Sequence, residues 1–244
     1  MKKIIFWSAL ISVLGLLIVA CAKRDDDTAV TQWTVSCEDT TASGSITIGS
    51  DTASGTYLVL TGNQFYNSQP ATGCEATTNH QGSPTGTQSV LIKKIITSST
   101  SFVDHESYYS DTTCTSRLGY IEKKYSNLSV GDTVSGLDNS SGGRPTSGYR
   151  VTYNEACAKI MADTDAAKVT FNTAYASYFH VYPMTTGTEK VFCLGWACQV
   201  RTYYDIWGAG DNGTTFSIYQ AMGGSAGYEP SDWDDNTGGM TYQK

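Results

Sequence analysis

The stretch SITIG at residues 45–49, followed by TYLVLT at residues 56–61, decides the fold of this chain. In the first stretch Ile46 and Ile48 alternate with polar residues, which is the period of a strand that buries one face. The second stretch is a short apolar run, and the Gly and Ser residues between the two are typical of a hairpin connection. The pair therefore predicts antiparallel strands joined by short turns.

Strand patterns of the same kind recur on both sides of this pair. Before it, Trp33, Val35 and Cys37 alternate with polar residues. After it, the predicted strands are residues 89–97, 101–109, 119–125, 133–137, 169–182, 190–200, 201–207, 214–220 and 240–243. Asn212-Gly213 is a strong hairpin signal, because both central residues of a type I′ turn need positive φ. Residues 62–87 and 138–148 are rich in turn formers and are predicted to be loops.

One helix is predicted, at residues 154–163. Thr152 and Glu155 have the spacing of a capping box, and apolar residues such as Cys157 and Ile160 follow at helical spacing. The β-branched and aromatic residues after it favour a return to strand over 169–182.

Many short strands and one short helix predict an all-β fold. A single open sheet of this size would expose two edges and an apolar face, so it is expected to close as an antiparallel barrel or to double over as a sandwich. Both alternatives fit the pattern. Charged residues make up 16% of the chain against about 25% in an average soluble domain. This composition is typical of a secreted β-rich protein.

The N-terminal residues 1–21 have the order of a secretory signal peptide. A positive start at Lys2 and Lys3 precedes an apolar run over 4–20, and Cys21 closes it. The last four residues, Ile18-Val19-Ala20-Cys21, resemble the lipobox of bacterial lipoproteins. The alternative is an uncleaved signal anchor, because the apolar run nearly reaches the roughly 20 residues that span a bilayer.

The lipobox resemblance implies a domain organisation and a location in the cell envelope. Residues 1–20 would be a removed signal peptide, 21–30 a lipidated N-terminus and tether, and 31–244 a single extracytoplasmic β-rich domain. Acyl chains such as palmitate on Cys21 would hold the protein at a membrane. Ala22 stands where many inner-membrane lipoproteins carry Asp, which implies the outer membrane. The net charge of −7 argues against nucleic acid as a partner.

Six further cysteines predict three disulfides in an oxidising compartment. They are Cys37, Cys74, Cys114, Cys157, Cys193 and Cys198. Their spacing leaves the pairing open, and we favour Cys157 with Cys193 or Cys198, since a helix lying on the sheet would need a fastening. The cysteines form no CxxC pair, and no histidine lies at zinc-finger spacing from a cysteine, so no metal site is predicted.

Sequence motifs predict no catalytic residue and no cofactor, which favours a non-enzymatic protein but leaves enzyme activity open. GGSAG at 223–227 matches the G-x-S-x-G elbow of hydrolases, but no helix signal and no later histidine follow it. His105 lies between Asp104 and Glu106 on one strand, where neighbours face opposite sides, so a solvated strand face is expected. The acidic residues at 232–236 have the wrong register for a calcium loop.

The order of lipobox, early strand with Trp33, successive hairpins and closing segment 203–242 resembles bacterial lipocalin-like lipoproteins. The resemblance implies a barrel whose mouth takes one small apolar or amphipathic molecule. Aromatic residues suit such a site because they combine apolar area with a polar handle. The candidate ligand-binding residues are Tyr203, Trp207, Phe216 and Tyr219.

Three functions of different class therefore remain. The first is a carrier lipoprotein with a lined cavity, and the second is a structural or surface-interaction lipoprotein with a filled core. The third is an envelope hydrolase, which would need a cluster of histidine and carboxylates that folding brings together. An empty apolar cavity would distinguish the first from the second.

Overall fold

The computed structural model describes residues 37, 40–60, 73–76, 82–138, 144–175, 183–192, 201–211, 216–221, 230–233 and 240–244. All of them belong to the compact unit Val35–Lys244. The predicted signal peptide, the lipobox, the tether and the strand around Trp33 lie outside the described residues.

The described residues form twelve strands and one helix. The strands are β1 (Ser45–Ile48), β2 (Asp51–Ser54), β3 (Thr56–Leu60), β4 (Cys74–Ala76), β5 (Ser89–Ile96), β6 (Phe102–Tyr109), β7 (Arg117–Ser135), β8 (Ser147–Ala162), β9 (Lys190–Phe192), β10 (Thr202–Asp211), β11 (Phe216–Gln220) and β12 (Met240–Gln243). The helix is α1 (Asp165–Ala174).

Eight of the strands close into an antiparallel barrel. Strands β3, β5, β6, β7, β8, β10, β11 and β12 pair in chain order, and β12 returns to pair with β3. Closure leaves no open edge in this ring, which explains how so many strands coexist in one sheet. Of the two predicted forms, barrel and sandwich, the barrel is therefore confirmed. Strand β4 extends β5, β9 extends β8, and β1 and β2 form a separate hairpin.

The predicted helix at 154–163 is wrong, because these residues continue strand β8. They pair with β7 from Gly119↔Ala162 to Ser126↔Asn154, and a bulge near Tyr125 shifts the alternation. That shift buries both Cys157 and Ala158, which produces the apparent helical spacing. Pairing with the long strand β7 outweighs the local capping signal, because the hydrogen bonds of the ladder satisfy the N–H and C=O groups of the paired residues.

The single short helix follows directly after β8. The Thr164 hydroxyl caps it by accepting from the Ala167 N–H at 3.2 Å, and Asp165 lies in its first turn. The strand predicted over 169–182 is therefore wrong as far as residue 174, and residues 176–182 lie outside the described part. Ala167 and Phe171 form the buried face of the helix.

The hairpin and the helix cover opposite ends of the barrel. Near the start of strand β5, Val90 packs in one cluster with Phe171 of α1. At the end of the strand, Ile96 packs in another cluster with Ile46 of the hairpin. Each of the two clusters also contains inward-facing side chains of the barrel wall. Each end is thus closed by apolar side chains from outside the ring.

Two disulfides join the described cysteines, Cys37–Cys157 and Cys74–Cys114. The pairing of Cys157 with Cys193 or Cys198 is wrong, because Cys157 lies on β8, not on a helix, and its partner comes from the N-terminal end of the domain. Cys193 and Cys198 lie outside the described residues, so the third predicted bridge stays a prediction.

Candidate functional site

The centre of the barrel holds a buried ion pair between neighbouring strands. Lys94 of β5 and Asp104 of β6 are register partners that both point inward, and Lys94 Nζ donates to Asp104 Oδ1 at 2.6 Å. The Lys94 side chain is 0% exposed and that of Asp104 is 26% exposed. Burial lowers the pKa of Lys94, and the adjacent Asp104 partly opposes that shift.

Three aromatic rings surround the Lys94 ammonium group. Its Nζ lies 4.1 Å from the ring centroid of Phe102, 4.7 Å from that of Tyr242 and 5.0 Å from that of Trp207. The faces of such rings attract a cation, most strongly where water is excluded. The rings therefore replace part of the hydration that Lys94 loses on folding.

A second carboxylate, Asp205 of β10, is buried near this pair and is 2% exposed. Its Oδ2 accepts from Gln220 Nε2 at 2.6 Å, from Trp207 Nε1 at 3.0 Å and from the Tyr153 hydroxyl at 3.1 Å. Burial raises the pKa of Asp205 to about 6, although these hydrogen bonds act in the opposite direction. The carboxylate orients the Trp207 ring that lies against Lys94.

Stacked and edge-on rings fill the space around these charges. The centroid of the Phe102 ring lies 4.7 Å from that of Tyr125, 5.0 Å from Trp207 and 5.1 Å from Tyr153. Tyr203 stacks on Tyr153 at 5.5 Å. Separations of this size leave no room for another molecule between these rings.

The four candidate ligand-binding residues do not form one site. Tyr203 and Trp207 face the barrel interior, whereas Tyr219 faces outward and packs against Trp233 with ring centroids 6.3 Å apart. The reason is strand alternation, since Gln220 next to Tyr219 takes the inward position. The Phe216 side chain lies outside the described part of the structure.

A cleft of about 70 Å³ opens on the outside of the barrel between β8 and β10. Arg150, Thr152, Tyr204 and Pro230 contribute to its walls. Ligand pockets for small molecules typically measure about 300 Å³ or more, so this cleft has room for water only. Tyr204 therefore faces the outside of the wall, whereas its neighbour Tyr203 faces the interior.

The outer wall carries a contact between a serine, a histidine and a glutamate. His105 Nε2 lies 2.8 Å from the Ser107 hydroxyl, and His105 Nδ1 lies 3.0 Å from Glu122 Oε2 of the neighbouring strand β7. In a hydrolase, a serine placed as Ser107 would be the nucleophile and a histidine placed as His105 would be the base. An acid placed as Glu122 would orient that histidine. Sequence reasoning missed this group because only the register of β6 against β7 places Glu122 beside His105.

Other features of this wall argue against a hydrolytic site. Ser107 is 2% exposed, and it pairs with Leu91 on one side and Tyr120 on the other, so the sheet ladder uses the main-chain groups around it. Acyl transfer needs free N–H donors for an oxyanion as well as access to the nucleophile. The Tyr120 ring also stacks on His105 at 5.2 Å. The arrangement is better suited to holding strands together.

The described residues provide neither a metal site nor a helix that could span a membrane. They contain no group of three or more His, Cys, Asp or Glu side chains that could hold a metal ion. Asp232 is the first residue of the acidic segment 232–236, and its carboxylate accepts hydrogen bonds from the N–H groups of Asp138 and Trp233. Residues 234–236, the GGSAG motif and the other two histidines of the chain, His80 and His180, lie outside the described residues. None of the helices in the described part is both long and apolar enough to cross a membrane.

No family model matches this chain, and no curated protein matches it.

Proposed function

We propose that this protein is a lipid-anchored lipoprotein of the bacterial cell envelope that acts through its outer surface as a structural or surface-interaction module. One observation carries the proposal. The Lys94–Asp104 pair and its surrounding rings occupy the part of the barrel in which a lipocalin-like carrier would hold a ligand.

The energetics of the interior support a filled barrel. A ligand at the centre would have to separate Lys94 from Asp104 or move Trp207 away from Asp205. Separating a buried ion pair leaves uncompensated charge and typically costs about 3–5 kcal/mol. An apolar ligand offers no hydrogen bond in return. The coverings at both barrel ends would have to open as well.

The lipobox supports the envelope location and an attachment through Cys21. The chain from Cys21 to Cys37 can reach about 50 Å when extended, since each residue spans at most about 3.5 Å. Cys37 is joined to Cys157 of β8, so the domain begins at a covalently fixed point. A lipid on Cys21 would therefore tether the barrel to a membrane.

Ligand content of the full-length protein from its own host is the decisive test. Native mass spectrometry should show the lipidated protein with no further bound molecule, and a fluorescent fatty-acid probe should show no uptake. A fatty-acid-binding protein measured in parallel checks the probe. Trp207→Ala serves as the matched variant, because loss of the buried indole should create a cavity and permit some uptake. A reproducible bound molecule in the wild type, removed by delipidation, would favour the carrier function instead.

A further inference from the structure

Lys94 and Asp104 are arranged for covalent bond formation as well as for charge pairing. They face each other across adjacent strands, so neither main chain has to move for their side chains to meet. The amine nitrogen is already 2.6 Å from a carboxyl oxygen. Reacting groups held at such separations react as if at very high concentration.

Burial of the Lys94 amine disfavours its charged form, and Asp104 and the ring faces only partly offset this effect. Lys94 is fully buried, and the rings of Phe102, Trp207 and Tyr242 surround its Nζ. Burial lowers the pKa of Lys94, which favours a neutral amine. A desolvated lysine amine of this kind is a nucleophile. Transfer of a proton from Lys94 to Asp104 along their hydrogen bond gives a neutral amine facing a carboxylic acid.

We propose that Lys94 and Asp104 form an intramolecular isopeptide bond inside the barrel. The Lys94 nitrogen attacks Cγ of Asp104, the N–Cγ bond forms, and one Cγ–O bond breaks. The departing hydroxyl leaves as water after taking one proton from the nitrogen. The products are one secondary amide and one water molecule, so the step needs no oxidant, reductant or cofactor. The amide joins β5 to β6 and replaces the ion pair with a neutral group.

An exposed ion pair on the same chain provides an internal comparison. Lys168 Nζ lies 2.6 Å from Asp165 Oδ1, the same distance as in the central pair. Its side chains are 32% and 81% exposed, so water solvates both groups and no buried environment promotes their condensation. We therefore expect an isopeptide bond at Lys94 and an unmodified side chain at Lys168.

Peptide mapping of the full-length protein tests the link. The protein is unfolded, reduced, alkylated and digested with trypsin, which does not cleave after an acylated lysine. A link gives a peptide covering residues 94–117 with one water less than its sequence mass, because no Lys or Arg lies between Lys94 and Arg117. Fragmentation of this peptide should give no ions from breaks between the two linked residues. Cleavage after Lys168 should be normal.

The alternatives give different peptides. An ion pair only gives peptide 95–117 at full mass, and this result as the sole product would overturn the proposal. A succinimide at Asp104 also loses water, but it leaves Lys94 open to trypsin and gives peptide 95–117 minus water, which would equally overturn it. In Lys94→Arg the chain should be cleaved after residue 94 and the dehydrated 94–117 peptide should disappear. Lys93→Arg, one position away on the outer face, should keep it.

Discussion

Phe171 of helix α1 occupies the space that a side chain at residue 119 would need. A Cβ built on Gly119 would lie 2.8 Å from Phe171 Cε2 and 2.6 Å from the Met161 carbonyl oxygen. The glycine therefore allows α1 to pack closely against β7 at its end of the barrel. This contact links the position of the helix to a single residue of the barrel wall.

Gly119→Ala should destabilise the protein by about 1–3 kcal/mol, because the added methyl group would force the helix or β8 to move. The free energy of unfolding from urea denaturation measures the effect. Gly131→Ala on the same strand is the matched control. Its Cβ would lie at ordinary contact distance, 3.5 Å from the Arg150 carbonyl oxygen, so stability should change by less than about 0.5 kcal/mol. Equal effects of the two changes would contradict this account of the helix contact.

The free energy of unfolding should fall as pH rises through the acid range, because Asp205 is buried. Burial raises its pKa from 3.8 to about 6 in the folded protein, so the folded state binds more protons than the unfolded state between these values. Folding is therefore favoured at the lower end of this window, and the benefit is lost as pH rises through the folded pKa.

The measurement is the free energy of unfolding of wild type and Asp205→Asn across pH 3.8 to about 6. The asparagine variant should lack this contribution, so the wild type should lose stability relative to it as pH rises. Glu155, whose pKa burial also raises, is present in both proteins and cancels in the difference. A difference that stays constant with pH, or rises in favour of the wild type, would refute the assignment.

Removal of the two described disulfides should have unequal effects. The Cys37–Cys157 bridge closes a sequence separation of 120 residues, and Cys74–Cys114 closes 40. Restriction of the unfolded chain alone should make the first bridge more stabilising by about 1 kcal/mol. Thermal or urea unfolding of Cys37→Ala/Cys157→Ala and Cys74→Ala/Cys114→Ala compares them. A larger loss from the shorter loop would show that folded-state contacts dominate.

Cys21→Ser should release the protein from membranes, because the acyl chains on Cys21 would provide the anchor. Cells grown with radioactive palmitate should label the wild type and leave the variant unlabelled. Ala22→Ser, at the next residue, is the control and should stay labelled and membrane-bound. Label on the Cys21→Ser protein would show that the lipobox prediction is wrong.

Local pattern was enough to predict most of the strands and the all-β class. Ile46 and Ile48 alternate with polar residues as a half-buried strand requires, and both are buried. Pattern could not place the helix, because the bulge near Tyr125 shifts the alternation of β8 and imitates helical spacing. That bulge depends on β7, a partner more than twenty residues away along the chain.

The sequence by itself determined that this chain is β-rich, that it carries few charges and that its cysteines suit an oxidising compartment. Each of these properties follows from residue type and local spacing. Tertiary structure alone decided that the sheet closes as a barrel, that Cys157 pairs with Cys37 and that Tyr219 faces outward. It also decided that Lys94 meets Asp104 in the interior and that His105 meets Glu122 on the wall. The physical reason is strand register: it brings together residues distant along the chain, and long-range packing sets it.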